Sequence, residues 1–380
     1  MDKQTFDTIY ILIMYIILSM FFALSLTPLI IKLLYKFKIF RVANYDFSTI
    51  VEKRNMKVGT PIMGGLIFVI PTILLTLIAN FDFHKLVLSG SVKIPILVFA
   101  ISAILGGLDD VLNIYGRERP VRSIRRTVKL MTVHKSFLYR VYLVLLFPWT
   151  MYKNFFFMLG SNPGKGIQAH EKILVQLLVA LLIVWWIVGR LGWTHIWFPA
   201  LGNVEVGLLM IPFIILTVLT MSNAVNITDG LDGLSSGLAI FSFIGFLITA
   251  VIIGNIPIAI ICAIVIGTLI PYLYFNTPPA RVQMGDVGSL ALGTMLASIA
   301  FALNRPFLLI PFCSVFLIEL GSSLIQGIGR RILGRRIFKM APIHHHFEFL
   351  GWKEEKVTIR FWVFGAIGVL FGLAIVFMQR

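Results

Sequence analysis

Apolar residues run along this chain in long blocks, without the strict alternation of a half-exposed strand. Blocks long enough to cross a bilayer fall near residues 9–34, 62–80, 94–109, 172–190, 207–225, 235–254, 256–275, 288–303, 306–328 and 358–379. A hydrocarbon core of about 30 Å takes about 20 residues of helix, and a helix satisfies all of its own backbone polar groups there. The pattern predicts an all-α polytopic membrane protein of about ten transmembrane helices, with residues 1–380 as a single membrane domain. The opening residues, MDKQTFDTIY, lack a basic lead, and the block behind them is too long for a cleaved signal, so it is expected to stay as the first helix.

One stretch departs from this background. In SNAVNITDGLDGLSS, residues 222–236, the polar side chains Asn223, Asn226, Asp229 and Asp232 recur at every third position. On a helix a three-residue step turns the side chain by about 60°, so Asn223, Asn226 and Asp229 form one slowly winding polar stripe. Gly230 and Gly233 are expected to end that helix. Ordinary Asx-Gly turns at a span end would explain the glycines but not Asn223 and Asn226, which sit deeper in the apolar block. Carboxylates and amides gathered at a bilayer edge point to function.

Composition narrows the class. Hydrophobic residues make up 58% of the 380 and charged residues only 13%, with a mean hydropathy of +0.93, which excludes a soluble globular domain. The formal charge of +16 does not mark a nucleic-acid partner, because Lys and Arg lie in short loops between apolar blocks, where topology accounts for them. Lys36, Lys38, Arg41, Lys53, Arg54 and Lys57 place the first loop in the cytoplasm, and Arg330, Arg331, Arg335, Arg336 and Lys339 place the last one there too. Both termini then face outward, and the loops near 110–171, 222–234, 276–287 and 329–357 are cytoplasmic. Cys262 and Cys313 lie within apolar blocks, so neither a disulfide framework nor a zinc site is implied. The outward segment 192–207, rich in Trp with Pro and Gly, reads as a short interfacial hairpin without chemistry.

That topology brings every polar motif to one face: KVGTPIMGG (57–65), GGLDD (106–110), NAVNITDGLDG (223–233), NTPPARVQMGD (276–286) and APIHHHFE (341–348). An anion transporter would place its ionisable groups near the midplane on broken helices, so a one-sided site favours an enzyme. The adjacent carboxylates of Asp109 and Asp110 repel one another unless a cation, a metal or a lysine, lies near. Neighbouring residues on a helix diverge by about 100°, so the two do not share one role equally. Asp286, between Gly285 and Gly288, precedes a block whose N-terminus is placed to meet an anion such as phosphate. With Asp229 and Asp232 this gathers hard oxygen donors, which favour Mg²⁺ over zinc. His344, His345 and His346 are consecutive and cannot all turn toward one metal, so an imidazole donating to phosphate is the better reading, with a structural role for at least one. GSNPGKG (160–166) is one residue short of a phosphate loop and lacks the Ser or Thr after Lys165.

Taken together, these motifs resemble the polyprenyl-phosphate N-acetylhexosamine-1-phosphate transferase superfamily over nearly all of the chain outside about 115–164. PIHHHFE followed by GWKEEKVTIRFW (351–362) is the most specific part, and relatives acting on other UDP-N-acetylhexosamines differ there. The resemblance implies transfer of phospho-N-acetylmuramoyl-pentapeptide from its UDP carrier to undecaprenyl phosphate, giving lipid I and UMP with Mg²⁺, in the bacterial cytoplasmic membrane. It also implies a homodimer among membrane lipids. Carried over by motif, Asp286 is the magnesium ligand, Asp109 and Asp110 the catalytic pair, and Lys172 and His344 further catalytic groups. Lys57, Asn223, Asn226, Asp229, Asp232, Asn276, Gln283, His345 and His346 line the substrate site.

Three departures from the family pattern stand out. Ile62 replaces a Thr, Gln283 replaces a Phe expected near the uracil, and NYDFSTIVEKRN replaces an acidic, His-containing stretch before Lys57. The segment 117–165 is longer than the family requires. Pro148 and Lys153 interrupt its apolar centre, and a single extra crossing would invert every later motif. It is therefore expected to be a cytoplasmic-surface or re-entrant element, with its aromatic side chains in the interface and its cations near anionic headgroups.

Overall fold

The computed structural model describes residues 3–40, 59–82, 87–116, 124–158 and 166–378. All ten apolar blocks fall on helices. Among the described residues, seven helices are long and apolar enough to cross a membrane by length and composition: Phe6–Lys36, Gly90–Tyr115, His170–Arg190, Gly207–Thr228, Leu234–Ile253, Ile256–Asn276 and Glu354–Phe377. Leu66–Ala79 and Asp286–Ala302 are shorter apolar helices.

The ninth block corrects the sequence reading. The block at 306–328, expected as one continuous span, is bent by 84° between Pro306–Phe312 and Ser314–Ile332. Cys313 leaves the helical conformation there, at φ −117° and ψ 24°. The hydroxyl of Ser242 donates to the carbonyl of Phe312 at 2.7 Å, so this carbonyl beside the break is paired within the protein, as an apolar surrounding demands.

The short helix Asp286–Ala302 forms the centre. Every residue from Val287 to Ala302 is buried, matching a sequence that is apolar or small on all sides. It packs against Gly90–Tyr115 and Met210–Thr228 along much of its length. Small residues permit that approach: a Cβ at Gly106 would collide with the carbonyl of Asp286, and one at Gly65 would meet the backbone of Gly288. The N-terminal helix lies at the other extreme, with broad apolar exposure that includes Phe6, Tyr10, Leu18, Phe21 and Leu29. Lipid chains suit that surface.

Two short hairpins complete the described elements. One pairs Phe81–Asp82 with Val87–Leu88, and the other pairs His195–Phe198 with Gly202–Glu205. The second is the hairpin expected in 192–207, and it is pinned by Arg305, whose guanidinium lies 4.2 Å from the Trp197 ring centre. Within the long segment 117–165, two helices form, Ile124–Val133 and Phe137–Met158, and they pack on each other. Neither is among the helices long and apolar enough to cross. Tyr152 donates its hydroxyl to the carbonyl of His170 at 3.1 Å, and the Trp149 ring meets that of His170 edge-on.

Candidate active site

Three helices deliver the carboxylates and the lysine. Asp109 and Asp110 lie near the end of Gly90–Tyr115, which runs one turn past them instead of stopping there. Ala169–Val184 starts with a capping box in which Gln168 donates its backbone N–H to Glu171, and this fixes Lys172 in the first turn. Gly285, at φ +73°, supplies the left-handed residue that turns the chain into the helix headed by Asp286.

Lys172 Nζ sits 2.6 Å from Asp109 Oδ2 and 2.5 Å from Asp286 Oδ2. Asp109 also accepts the backbone N–H of Ile167 at 2.5 Å and the Asn113 amide at 3.2 Å. Asp110 takes the other direction that its place on the helix dictates. Its Oδ1 accepts the N–H of Asp286 and its Oδ2 that of Val287, both at 3.0 Å. The two adjacent acids thus divide: one holds the lysine, the other caps a helix. The helix N-terminus at Asp286, expected to face a phosphate, has an anion of the protein's own on its first two N–H groups.

A cleft of about 410 Å³ opens beside these groups, lined in part by Asp110, Asp229, Asp232, Asn276, Gln283 and Asp286. The polar stripe ends there as predicted: the helix Met210–Thr228 stops before Asp229, and Gly233, at φ +75°, leads into Leu234–Ile253. Asn226 donates to Asp286 Oδ1 and to Ser289 Oγ, each at 2.8 Å. Asn223 lies a turn deeper and donates to Gln176 Oε1 at 3.0 Å, so it joins two helices and stands outside the cleft lining. Asp232 Oδ2 accepts the N–H of Ala280, and Asn276 Oδ1 accepts that of Gly233, each at 3.0 Å. These bonds tie the 276–286 loop to the turn. Gln283 joins the lining while its backbone pairs with Pro61 and Gly64.

The histidines separate. His344 and His345 face each other through Nε2 at 3.1 Å, whereas His346 accepts the N–H of Lys339. His344 is fully buried, and its Nε2 lies where a Cβ on Gly230 would have to go. Behind it stands Glu319, also fully buried, with Oε2 2.9 Å from His344 Nδ1. Sequence reasoning did not single out Glu319, although a carboxylate inside an apolar block is itself the signal. Glu354, which accepts the N–H of Asp232 at 2.6 Å, and Gln176 were passed over as well. Lys57 lies outside the described residues.

Among the described residues no group of three or more His, Cys, Asp or Glu side chains surrounds a common cation position. Asp109 and Asp286 nevertheless share a single ammonium, Lys172, with the carboxylate of Asp110 on the backbone beside them, so the site gathers more hard oxygens than its one cation pairs. Mg²⁺ is commonly held by one or two carboxylates, with substrate phosphates and water completing its shell, and this donor set fits that arrangement.

The model of the family described as Glycosyl transferase family 4 matches residues 164–304. A phospho-N-acetylmuramoyl-pentapeptide-transferase from Lactobacillus helveticus is 34% identical over 354 residues, 93% of this chain and 95% of that protein. The protein of that name from Clostridium perfringens is 32% identical over 363 residues, covering 95% of this chain and 96% of its own. That from Halalkalibacterium halodurans is 30% identical over 370 residues, 97% and 98% of the two chains. Across nearly its whole length, therefore, this chain belongs to the phospho-N-acetylmuramoyl-pentapeptide-transferase family.

Proposed function

We propose that the protein transfers phospho-N-acetylmuramoyl-pentapeptide from UDP to undecaprenyl phosphate, yielding lipid I and UMP, at the cytoplasmic face of the bacterial inner membrane. The observation that carries this reading, beside the family, is Lys172 held between Asp109 and Asp286 next to a polar cleft of about 410 Å³. An oxygen of the acceptor phosphate attacks the phosphorus that bears the sugar. The bond from that phosphorus to the bridging oxygen breaks, and UMP leaves with the electron pair. One phosphoanhydride replaces another, so no coupled ATP is needed.

A phosphate monoester is mostly dianionic at pH 7, so the acceptor does not require a strong base. Asp109 serves mainly by position: three donors, Lys172, Ile167 N–H and Asn113, engage its two oxygens. The Lys172 ammonium offsets charge on the phosphates, and Asn226 fixes the rotation of the Asp286 carboxylate. Asp286 is the residue that would hold Mg²⁺. The bound ion supplies neutralisation of the charge growing on the departing UMP. Asn276 and Asp232 shape the wall on which the nucleotide rests.

Purified protein should release UMP only when undecaprenyl phosphate, Mg²⁺ and UDP-N-acetylmuramoyl-pentapeptide are all present. Equal release with UDP-N-acetylglucosamine would move the protein to a different branch of the superfamily, and release without the lipid would overturn the reading.

A further inference from the structure

Between Met210–Thr228 and Leu234–Ile253 the chain turns through residues 229–233 without continuing either helix, so its backbone groups need partners from elsewhere. One stripe of the last helix, Glu354–Phe377, supplies three of them. Glu354 accepts the N–H of Asp232 at 2.6 Å. Thr358 donates its hydroxyl to the Asp232 carbonyl at 3.4 Å, and Trp362 donates its indole N–H to the Gly233 carbonyl at 3.2 Å. Steps of four residues keep these side chains within an arc of about 80°. Neighbouring backbone groups of the turn are thus met in order by successive turns of one helix.

Other neighbours complete the grip. Asn276 accepts the N–H of Gly233 at 3.0 Å, and Ala280 donates to the Asp232 carboxylate. The Gly233 carbonyl also takes the N–H of Gly237 at 3.1 Å and the Ser236 hydroxyl at 3.3 Å, so Trp362 reinforces the group on which the next helix starts. The indole fills space that only glycine leaves: a Cβ on Gly237 would collide with the Trp362 ring. Thr358 is buried, so water does not stand in for its hydroxyl. Asp229, Gly230, Leu231 and Asp232 line the cleft, whereas Glu354, Thr358 and Trp362 stand outside that lining.

We propose that the last helix is a splint for this wall of the cleft, with Glu354, Thr358 and Trp362 as positioning residues that hold Asp232 and Gly233 in the shape that receives the UDP-sugar. This rests on the function proposed above. Acting through the turn, and apart from the Lys172 cluster, the splint serves binding more than the chemical step. All three side chains lie in GWKEEKVTIRFW, which thereby gains a structural task.

Thr358→Val keeps the shape and removes the hydroxyl, while Trp362→Phe keeps a ring near Gly237 and removes the N–H. In the double variant KM for UDP-N-acetylmuramoyl-pentapeptide should rise about tenfold, with kcat within about threefold of wild type. A purely structural role would lower the melting temperature and leave KM of the folded enzyme unchanged. A rise in KM under about twofold, or a loss confined to kcat, overturns the proposal. Should the double variant not fold, Trp362→Phe alone decides, by the same twofold limit on KM. Gly237→Ala reaches the contact from the other side. It should raise KM by itself, and adding Trp362→Phe should raise it by less than the product of the two single effects, because both act on one contact. Single effects that simply multiply overturn the shared contact. Amide deuterium exchange reads the splint without turnover: residues 229–233 should exchange about tenfold faster in the folded variants, and unchanged exchange overturns the proposal. Absence of lipid I formation by the wild type would instead strike the proposed function and leave the exchange result standing.

Discussion

Asp110 accepts the backbone N–H of Asp286 at 3.0 Å, so the carboxylate of one helix caps the residue that heads another. The same side chain also takes the N–H of Val287. Its neighbour Asp109 is 1% exposed and spends its oxygens on Lys172, Ile167 and Asn113. Asp109→Asn and Asp110→Asn should therefore both impair transfer, in different ways. Asp110→Asn turns an N–H donor toward one of two N–H groups and removes a charge from a helix N-terminus, so it should cost about 1–3 kcal/mol of stability as well as activity. Asp109→Asn should lower turnover with a smaller change in melting temperature. Thermal unfolding and UMP release, measured on both variants, check the division, and equal mild losses would count against it.

Asp286→Asn should abolish transfer without unfolding the protein. The amide keeps a contact with Asn226 but would give the proposed Mg²⁺ an uncharged, weaker ligand. Raising Mg²⁺ should recover little. Near-normal UMP release by this variant would remove Asp286 from the site.

Lys172→Met leaves Asp109 and Asp286 facing each other without their cation. Turnover should fall by about a hundredfold or more, and Lys172→Arg should not restore it, because the wider fork does not fit between two acceptors held 2.6 and 2.5 Å from one nitrogen. Full activity in the arginine variant would show that a point charge is not what the site needs.

How much of this was legible in the sequence depends on which physical signal each residue carries. Asp109, Asp229, Asp232 and Asp286 were legible because a carboxylate at the edge of an apolar block is costly without a purpose. Their partners were less so. Nothing in the spacing of Asn223 says that Gln176, on another helix, takes its amide. The 84° bend was hidden for a related reason. Pro28, Pro71, Pro95 and Pro271 all sit inside unbroken helices, so Pro311 alone did not mark a break. The decisive contact, Ser242 to the carbonyl of Phe312, spans seventy residues.

Gln283→Phe should be tolerated. The backbone of Gln283 is already committed, donating to Pro61 and accepting from Gly64 at 2.7 Å, so the loop keeps its shape whatever side chain it carries. The aromatic ring offers stacking area where Gln offers a polar edge, and KM for the UDP-sugar should shift by less than about tenfold. Loss of nucleotide binding would mean that the base is held differently here from the family pattern.

The segment 117–165 gives the last prediction. Replacing 118–164 by a short polar linker should leave measurable transfer but reduced stability, because Tyr152 and Trp149 cover His170, two residues before Lys172. Tyr152→Phe alone should cost about 1 kcal/mol, read as a lower melting temperature. A cysteine at the exposed Ser136 should react with impermeant reagents only from the cytoplasmic side, and labelling from outside would require another crossing.

The close approaches at Gly106 and Gly65 reach beyond packing. Gly64 and Gly65 donate to the carbonyls of Gln283 and Met284, Gly106 abuts the Asp286 carbonyl, and Asp110 holds the amides of Asp286 and Val287. Three distant parts of the chain are thus stitched together, two of them backbone to backbone and the third through the short Asp110 carboxylate, with no long side chain between them to absorb a displacement. Such a knot opens as one cooperative unit, so its amides should exchange with solvent deuterium together and among the slowest in the molecule. Any breathing that admits a large lipid and a large nucleotide sugar must then come from the elements around this knot, which turns about a fixed hub instead of deforming it.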